Sequence, residues 1–459
     1  MKEINSWTNY NKKELGEIDR LSKNYIDFIS ENKTEREATS ALISLAEKNG
    51  YINLDEIIKN GEKLEQGSKI YAVNMKKAIV MLNIGKDITR DGLNILGAHL
   101  DSPRLDTKQN PLYEKDEFAY LNTQYYGGIK KYQWVTIPLS IHGVIIKKDG
   151  SLVKVSIGEN DDDPVLFISD LLIHLAQEQM KKPANEVIEG ENLDIVVGTK
   201  PLNGEEKEAV KANILKLLKE KYGVDEDDLW SSELEIVPAG RAREAGLDRS
   251  LILGYGHDDR CCAYTSALAM MEVENPTKTA CGLFVDKEEI GSVGATGMES
   301  KFFENVIAEV LDRIGIYSEL NLKRTLRNSR MLSSDVSATF DPLYADKFDK
   351  PNAAQYGRGI VFNKYTGGRG KSSSNDANAE YLAKLRKIFN DNNVVFQSAE
   401  LGRVDVGGGG TIAYILSLYG MEVVDSGIAV LSMHSPWEAI SKADLYEAKK
   451  GYVAFLKDA

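Results

Sequence analysis

The run Cys281-Gly-Leu-Phe-Val285 constrains this chain most: it is uninterrupted by any charged residue and stops abruptly at Asp286-Lys-Glu-Glu289, with Gly291 close behind. A strand without an alternating polar face has nothing to offer water, so it belongs in a sheet covered on both sides. That is an α/β arrangement, and open α/β sheets form their ligand sites at the carboxyl ends of the strands. The run therefore brings Glu288 and Glu289 to such an edge. Adjacent side chains on extended or turning backbone point in different directions. One carboxylate can bind a metal while the other stays able to move a proton.

The flanking sequence alternates helix and strand patterns. Leu15, Ile18, Leu21, Tyr25, Ile26 and Ile29 form a stripe that predicts a helix over 11–32. Thr34-Glu-Arg-Glu37 is a capping-box pattern opening a second helix that ends near Gly50. Residues 69–74 and 77–83 read as a strand pair, and 93–103 as a strand running into a turn ended by Pro103. The alternation resumes at Leu251 with a strand, a helix over 260–271, the 281–285 strand and a helix over 299–314. Strands at 359–362 and 394–397 flank a helix over 379–389. Asp405-Val-Gly-Gly-Gly-Gly-Thr411 is expected to open a helix running to Leu418, followed by one last buried strand over 426–434 and a final helix capped by Ser441.

Between these parts the pattern changes. Residues 133–146 alternate, turn at Lys148-Asp-Gly150 and return over 152–157, a β-hairpin signal. Helices are expected around 165–180 and 205–222, strands at 193–197 and 233–237, and a solvated turn and helix start at Asp161-Asp162-Asp163. The expected organisation is a discontinuous domain of residues 1–104 plus 241–459 and a β-rich insert over 105–240.

A chain of 459 residues has room for two or three domains. Its net charge of −13, spread without blocks, excludes a nucleic-acid surface built on clustered Lys and Arg. No apolar run approaches the ~18–20 residues of a membrane span, and the amino-terminal segment has no apolar signal core. Cys261, Cys262 and Cys281 are odd in number, lie on apolar stretches and lack C-x-x-C spacing, so they read as buried thiols. A cytoplasmic protein is expected.

Five motifs follow apolar stretches with acid or imidazole groups: His99-Leu-Asp101, Asp258-Asp259, Glu288-Glu289, Ser334-Asp335 and Met433-His434-Ser435. Singly, each has an ordinary explanation, such as a helix cap, a turn or a satisfied core histidine. A parallel sheet that gathers its strand ends along one edge would let them converge. Two histidines and several carboxylates, without cysteine, suit zinc and suffice for two metals ~3.5–4 Å apart sharing a carboxylate. Of the other histidines, His142 lies on the less apolar side of a strand, His174 in a packed helix, and His257 points away from the site.

In this order, with a β-rich insert after the first, these motifs resemble the aspartyl aminopeptidase and aminopeptidase I family over nearly the whole chain. Members are cocatalytic dinuclear zinc peptidases. The resemblance implies a mixed-sheet α/β catalytic domain with an inserted dimerisation domain, two zinc ions (replaceable by cobalt or manganese), peptide substrates, and dimers that assemble into a dodecamer. It implies that Asp258 bridges the metals, that His99 and Asp335 complete one and Glu289 and His434 the other, that Glu288 is the general base, and that Asp101 orients His99. Gly407-Gly-Gly-Gly-Thr411 resembles the family's substrate loop, which gives Gly409, Gly410 and Thr411 a substrate-binding role. Asp170 aligns with the position from which a neighbouring subunit lends a histidine to the substrate pocket. A carboxylate there disfavours acidic substrate side chains. Two rival readings remain, a dinuclear carboxypeptidase or deacylase and a metal-binding assembly protein without turnover.

Overall fold

The computed structural model describes residues 5–368 and 370–459. Its contacts divide the chain into two units. One holds the residues up to Asp101 with Ala242–Met433 and Glu438–Ala459; the other holds Ser102–Arg241 with His434–Trp437.

The first unit is built on a nine-stranded mixed sheet. Its order is Ile52–Asn53, Lys69–Asn74, Ala78–Asn83, Thr279–Val285, Leu93–His99, Arg330–Ser333, Glu422–Gly427, Ile360–Asn363 and Phe396–Ser398. The four strands from Thr279–Val285 to Glu422–Gly427 run parallel. Helices cover both faces. Leu96, Ala98, Ala280 and Phe284 pack into one core with the helices Lys12–Glu31, His257–Glu272 and Lys442–Asp458. Their strand neighbours Ile95, Cys281, Leu283 and Val285 pack into another with Phe302–Ile314 and Glu319–Asn328. Burial on two faces is the reason the 281–285 run carries no polar alternation.

A second, five-stranded sheet in this unit has the order Arg243–Ala245, Leu251–Gly254, Glu438–Ser441, Ala429–Leu431, Ser337–Ala338. It corrects two expectations. The single strand over 426–434 is two strands, Glu422–Gly427 in the large sheet and Ala429–Leu431 in the small one, and Glu438–Ser441 was not foreseen. The crossing is tight at Gly427, where an added Cβ would lie 1.9 Å from the carbonyl oxygen of Asp335. Only a residue without a side chain lets the two backbones pass. At the helix ends, Thr34 and Glu37 form their reciprocal capping box. Ser441 precedes the last helix, but its side chain makes no capping bond.

The second unit is a six-stranded sheet in the order Leu152–Ile157, Leu139–Ile146, Ser232–Pro238, Arg104–Lys115, Phe118–Tyr126, Ile195–Gly198. The hairpin through 147–151 forms, although its first strand starts only at Leu139. The helix expected over 165–180 does not form. The backbones of Leu166 and Phe167 bond to Leu139 and Val196, and the chain then makes two short 3-10 turns, Ile173–Leu175 and Gln179–Lys181. Those backbone bonds override the helical preference of the stretch and leave Leu171, Leu172, Ile173 and Leu175 exposed. Asp161–Asp163 forms a turn without a helix behind it. The helix expected over 205–222 runs from Ala209 to Tyr222. No helix among the described residues is long and apolar enough to cross a membrane.

Candidate metal centre

Three neighbouring parallel strands of the large sheet end together. Their register pairs His99 with Val285 and Ser333 with Gly97. The chain beyond each strand therefore emerges along one edge, bringing Glu288, Glu289 and Asp335 towards His99. Lys287 and Gly291 bracket the two glutamates at φ 69° and 96°, which closes the chain into a short 3-10 turn directly after the strand. Asp286 holds that turn, accepting from the Lys287 amide at 2.8 Å and from Thr296 Oγ1 at 2.6 Å.

Asp258 comes from elsewhere. It follows Leu251–Gly254 of the small sheet and sits, with Asp259, on non-helical backbone at the start of the helix His257–Glu272. The expectation that all five motifs belong to strand ends of one parallel sheet is thus corrected: Asp258 is carried by the other sheet, and so is the strand before Met433.

The groups meet closely. Ligand atoms of His99, Asp258 and Asp335 lie within 4.8 Å of one another, as do those of His99, Glu288 and Glu289. His99 Nε2 is 3.2 Å from Asp258 Oδ1 and 3.8 Å from Glu288 Oε2. On its other side, His99 Nδ1 is 3.0 Å from the carbonyl oxygen of Asp101 and 3.3 Å from its Oδ1. The two carboxylate oxygens of Asp101 accept from the Glu288 and Glu289 amides, each at 3.2 Å.

Burial and charge crowding set the electrostatics. Burial pushes the Asp335 carboxyl well above the usual range; His99 opposes this, while Glu288 and Asp258 add to it. Asp259 is raised well above its ordinary value by burial, then by Cys262 and Asp335. For His99, burial works against the charged imidazole, but hydrogen bonds to Asp101 and Asp258 and the Glu288 charge outweigh it and raise its pKa. Several buried carboxylates around one imidazole form a donor set of hard oxygens and one nitrogen. That chemistry fits a divalent cation of the zinc, cobalt or manganese type. Asp259, Cys261 and Cys262 also group within 4.8 Å. Burial holds the Cys261 thiol up at about 11 and Cys262 well above its usual value, so both are neutral thiols in the metal-free protein.

The remaining expected residues divide. Thr411 Oγ1 donates to Asp425 Oδ1 at 2.6 Å, and the Gly409 carbonyl accepts from the Gly367 amide at 2.6 Å. Gly410 lies beside them, with open space where a Cβ would stand. The helix behind this loop is only Ala413–Ser417. His434 belongs to the second unit, with Nδ1 2.9 Å from the Gly128 carbonyl oxygen. Asp170 also lies there, exposed, accepting from its neighbour's amide at Leu171 and from Gln179 Nε2. His257 bonds to Tyr25 and to the Ile252 carbonyl, away from the carboxylates. His142 is buried against Glu159, and His174 is exposed on a 3-10 turn instead of packed in a helix.

Two further carboxylates, neither given a role from the sequence, hold backbone amides of the site. Glu438 Oε2 accepts from the Asp258 amide at 3.1 Å, and Asp259 Oδ2 from the His99 amide at 3.3 Å. Asp259 carried a signal, its place beside Asp258. Glu438 carried none, because nothing local marks an acid in a four-residue strand as buried.

Known proteins match the chain along nearly its whole length. The model of the M18 family, described as aminopeptidase I zinc metalloprotease, matches residues 28–456. A probable M18 family aminopeptidase 1 of Clostridium acetobutylicum is 58% identical over 455 residues, 99% of this chain and 98% of the relative. One from Thermotoga maritima is 47% identical over 456 residues, with 99% and 98% covered. The crystal structure of the M18 aminopeptidase from Thermotoga maritima superposes with a TM-score of 0.96 at 45% identity, covering 100% of both chains. That of aminopeptidase I from Clostridium acetobutylicum gives 0.93 at 56%, covering 99% of both. The fold, the convergence of acid and imidazole groups, and the match along nearly the whole length agree: the chain belongs to the M18 family of aminopeptidase I zinc metalloproteases.

Proposed function

We propose that this protein is a dinuclear metalloaminopeptidase that releases the N-terminal residue of peptides, with Glu288 as the general base. The observation that carries this reading is the close approach of His99, Asp258, Asp335, Glu288 and Glu289 from distant parts of the sequence.

Asp258 would be the ligand shared by two metal ions, with His99 and Asp335 as further ligands of one and Glu289 and His434 of the other. His434 Nδ1 lies 2.9 Å from the Gly128 carbonyl, a contact of the kind that orients a ligating imidazole. Bound zinc acidifies water and polarises a carbonyl oxygen. The protein's own groups do the rest. Glu288, with a side chain only 16% exposed, takes a proton from the attacking water and returns it to the leaving amine. Asp101 fixes the His99 ring and, through the two amides, the glutamate turn. Carboxylates near the site receive a free α-amino group, which confines cleavage to the first residue. Gly409, Gly410 and Thr411 line the substrate, and Asp170 of a neighbouring subunit disfavours acidic side chains.

Residues 105–240 serve as a dimerisation domain, and the dimers assemble into a dodecamer in the cytoplasm. The exposed apolar side chains of 171–175 support the pairing role.

The test is amino-acid release from peptides with free and acetylated amino termini, with zinc, cobalt or manganese added. Release from the free peptides alone is expected. A carboxypeptidase or deacylase would process the acetylated peptides too, and an assembly protein would process neither.

A further inference from the structure

The opposite edge of the nine-stranded sheet gathers charge of the other sign. Lys278 directly precedes the strand Thr279–Val285, and Arg330 opens the strand Arg330–Ser333. Both flank the start of Leu93–His99, where Thr279 pairs with Leu93 and Arg330 with Asn94. Arg90 comes from the turn of helix Ile88–Asp91, and Arg327 from the end of helix Glu319–Asn328. Together they line a cavity of about 450 Å³ whose acidic members are Asp91 and Glu422.

The carboxylates do not balance the cations. Asp91 is held by Arg90 through both oxygens at 2.8 Å. Glu422 is 4.0 Å from Arg330 Nε, too far for a hydrogen bond. Arg330 is 17% exposed, and its Nε and Nη1 find no acceptor among the described residues. Shielded guanidinium N–H groups without acceptors are costly. Burial, and then the charges of Arg330 and Lys384, push Lys278 down to about 8. Lys384, on the helix Ala379–Asp391, is lowered by burial and by Arg330 as well. Uncompensated positive charge has collected here, in a chain whose net charge is −13.

We propose that this cavity binds a compact, multiply charged oxyanion of the phosphate class, gripped by the Arg330 guanidinium and neutralised by Lys278 and Arg327. Arginine guanidinium groups donate charge-assisted hydrogen bonds to phosphoryl oxygens, and Arg330 stands beside Lys278 and Arg327 in the cavity lining. Three cationic groups call for more charge than one carboxylate brings. The small cavity in an otherwise acidic chain suits a compact anion and not a polymer. The site is separate from the metal centre, since Arg330 opens the strand that Asp335 follows.

The test is calorimetric titration of the full-length, metal-loaded protein with pyrophosphate and with inorganic phosphate at constant ionic strength in chloride. Saturable binding is expected, tighter for pyrophosphate. Arg330→Gln should weaken it about tenfold or more. Lys278→Gln, which tests the same site should Arg330→Gln fail to fold, should weaken it severalfold. Peptide turnover without added phosphate should not change in either variant. Binding of equal strength in the folded variants would assign the anion to the metal centre and overturn the proposal. So would the absence of saturable binding by the unaltered protein.

Discussion

Asp101 Oδ1 lies 3.3 Å from His99 Nδ1 and accepts the Glu288 backbone amide at 3.2 Å, while Oδ2 takes the Glu289 amide. One buried carboxylate thus ties the imidazole at the end of one strand to the glutamate turn at the end of its neighbour. Such groups behind metal ligands fix ring orientation and raise ligand basicity. In Asp101→Asn, an amide offers one acceptor where two amides need one each. Metal affinity is expected to fall by about 10–100-fold, with kcat falling alongside it. Competition with a chelator measures the affinity, and an unchanged value would remove the positioning role.

Glu288→Gln separates binding from proton transfer. The side chain keeps its size and loses its basicity. The variant should retain its full metal content, while kcat falls by about 10²–10⁴ or more. Elemental analysis beside steady-state kinetics reads both quantities, and near-normal turnover would exclude Glu288 as the base.

His434→Ala tests the assignment of the second metal. With His434 as the ligand proposed above, its removal should lower the bound metal by about one ion per chain and abolish most turnover. Unchanged metal content after dialysis would contradict the assignment.

Thr411→Val tests the glycine-rich loop. The hydroxyl's 2.6 Å bond to buried Asp425 ties the loop to the strand Glu422–Gly427. Losing the donor leaves a buried oxygen short of a partner, a cost of about 1–3 kcal/mol. KM should rise severalfold with metal content unaltered. An unchanged KM would separate the loop from substrate binding.

Asp444 predicts a pH dependence of stability. Its oxygens accept from the Gly357 and Gly359 amides, but burial pushes its carboxyl up to about 7. An acid with a raised folded-state pKa binds its proton more tightly when folded. Its contribution is therefore fully present below the unfolded value near 4 and is lost as pH rises through about 7. The shift corresponds to roughly 4 kcal/mol. Denaturation of the unaltered protein and Asp444→Asn from pH 4 to 8 should show a stability difference that changes across this window. Parallel pH profiles would refute it.

Much of the local structure was legible. The uniform burial of the 281–285 run, the Thr34 capping box and the hairpin through 147–151 follow from residue type and spacing, which act over a few residues. The reading failed where tertiary contacts overrode local preference. Residues 165–180 look helical by composition, yet the backbone at Leu166 and Phe167 is taken up by Leu139 and Val196. An apolar stretch over 426–434 cannot reveal that Gly427 must pass against Asp335 while the strand divides between two sheets.

By itself, the sequence determined which acids and imidazoles stand at the ends of buried segments, because apolar runs and the polar residues that stop them are local features. The tertiary structure alone decided the partners. The pairing of Val285 with His99, the arrival of Asp258 from a second sheet, and the hold of Glu438 on the Asp258 amide depend on hydrogen bonds between segments far apart in the chain. No local pattern encodes such pairings, because they are set by how the whole chain buries its apolar surface and satisfies its backbone.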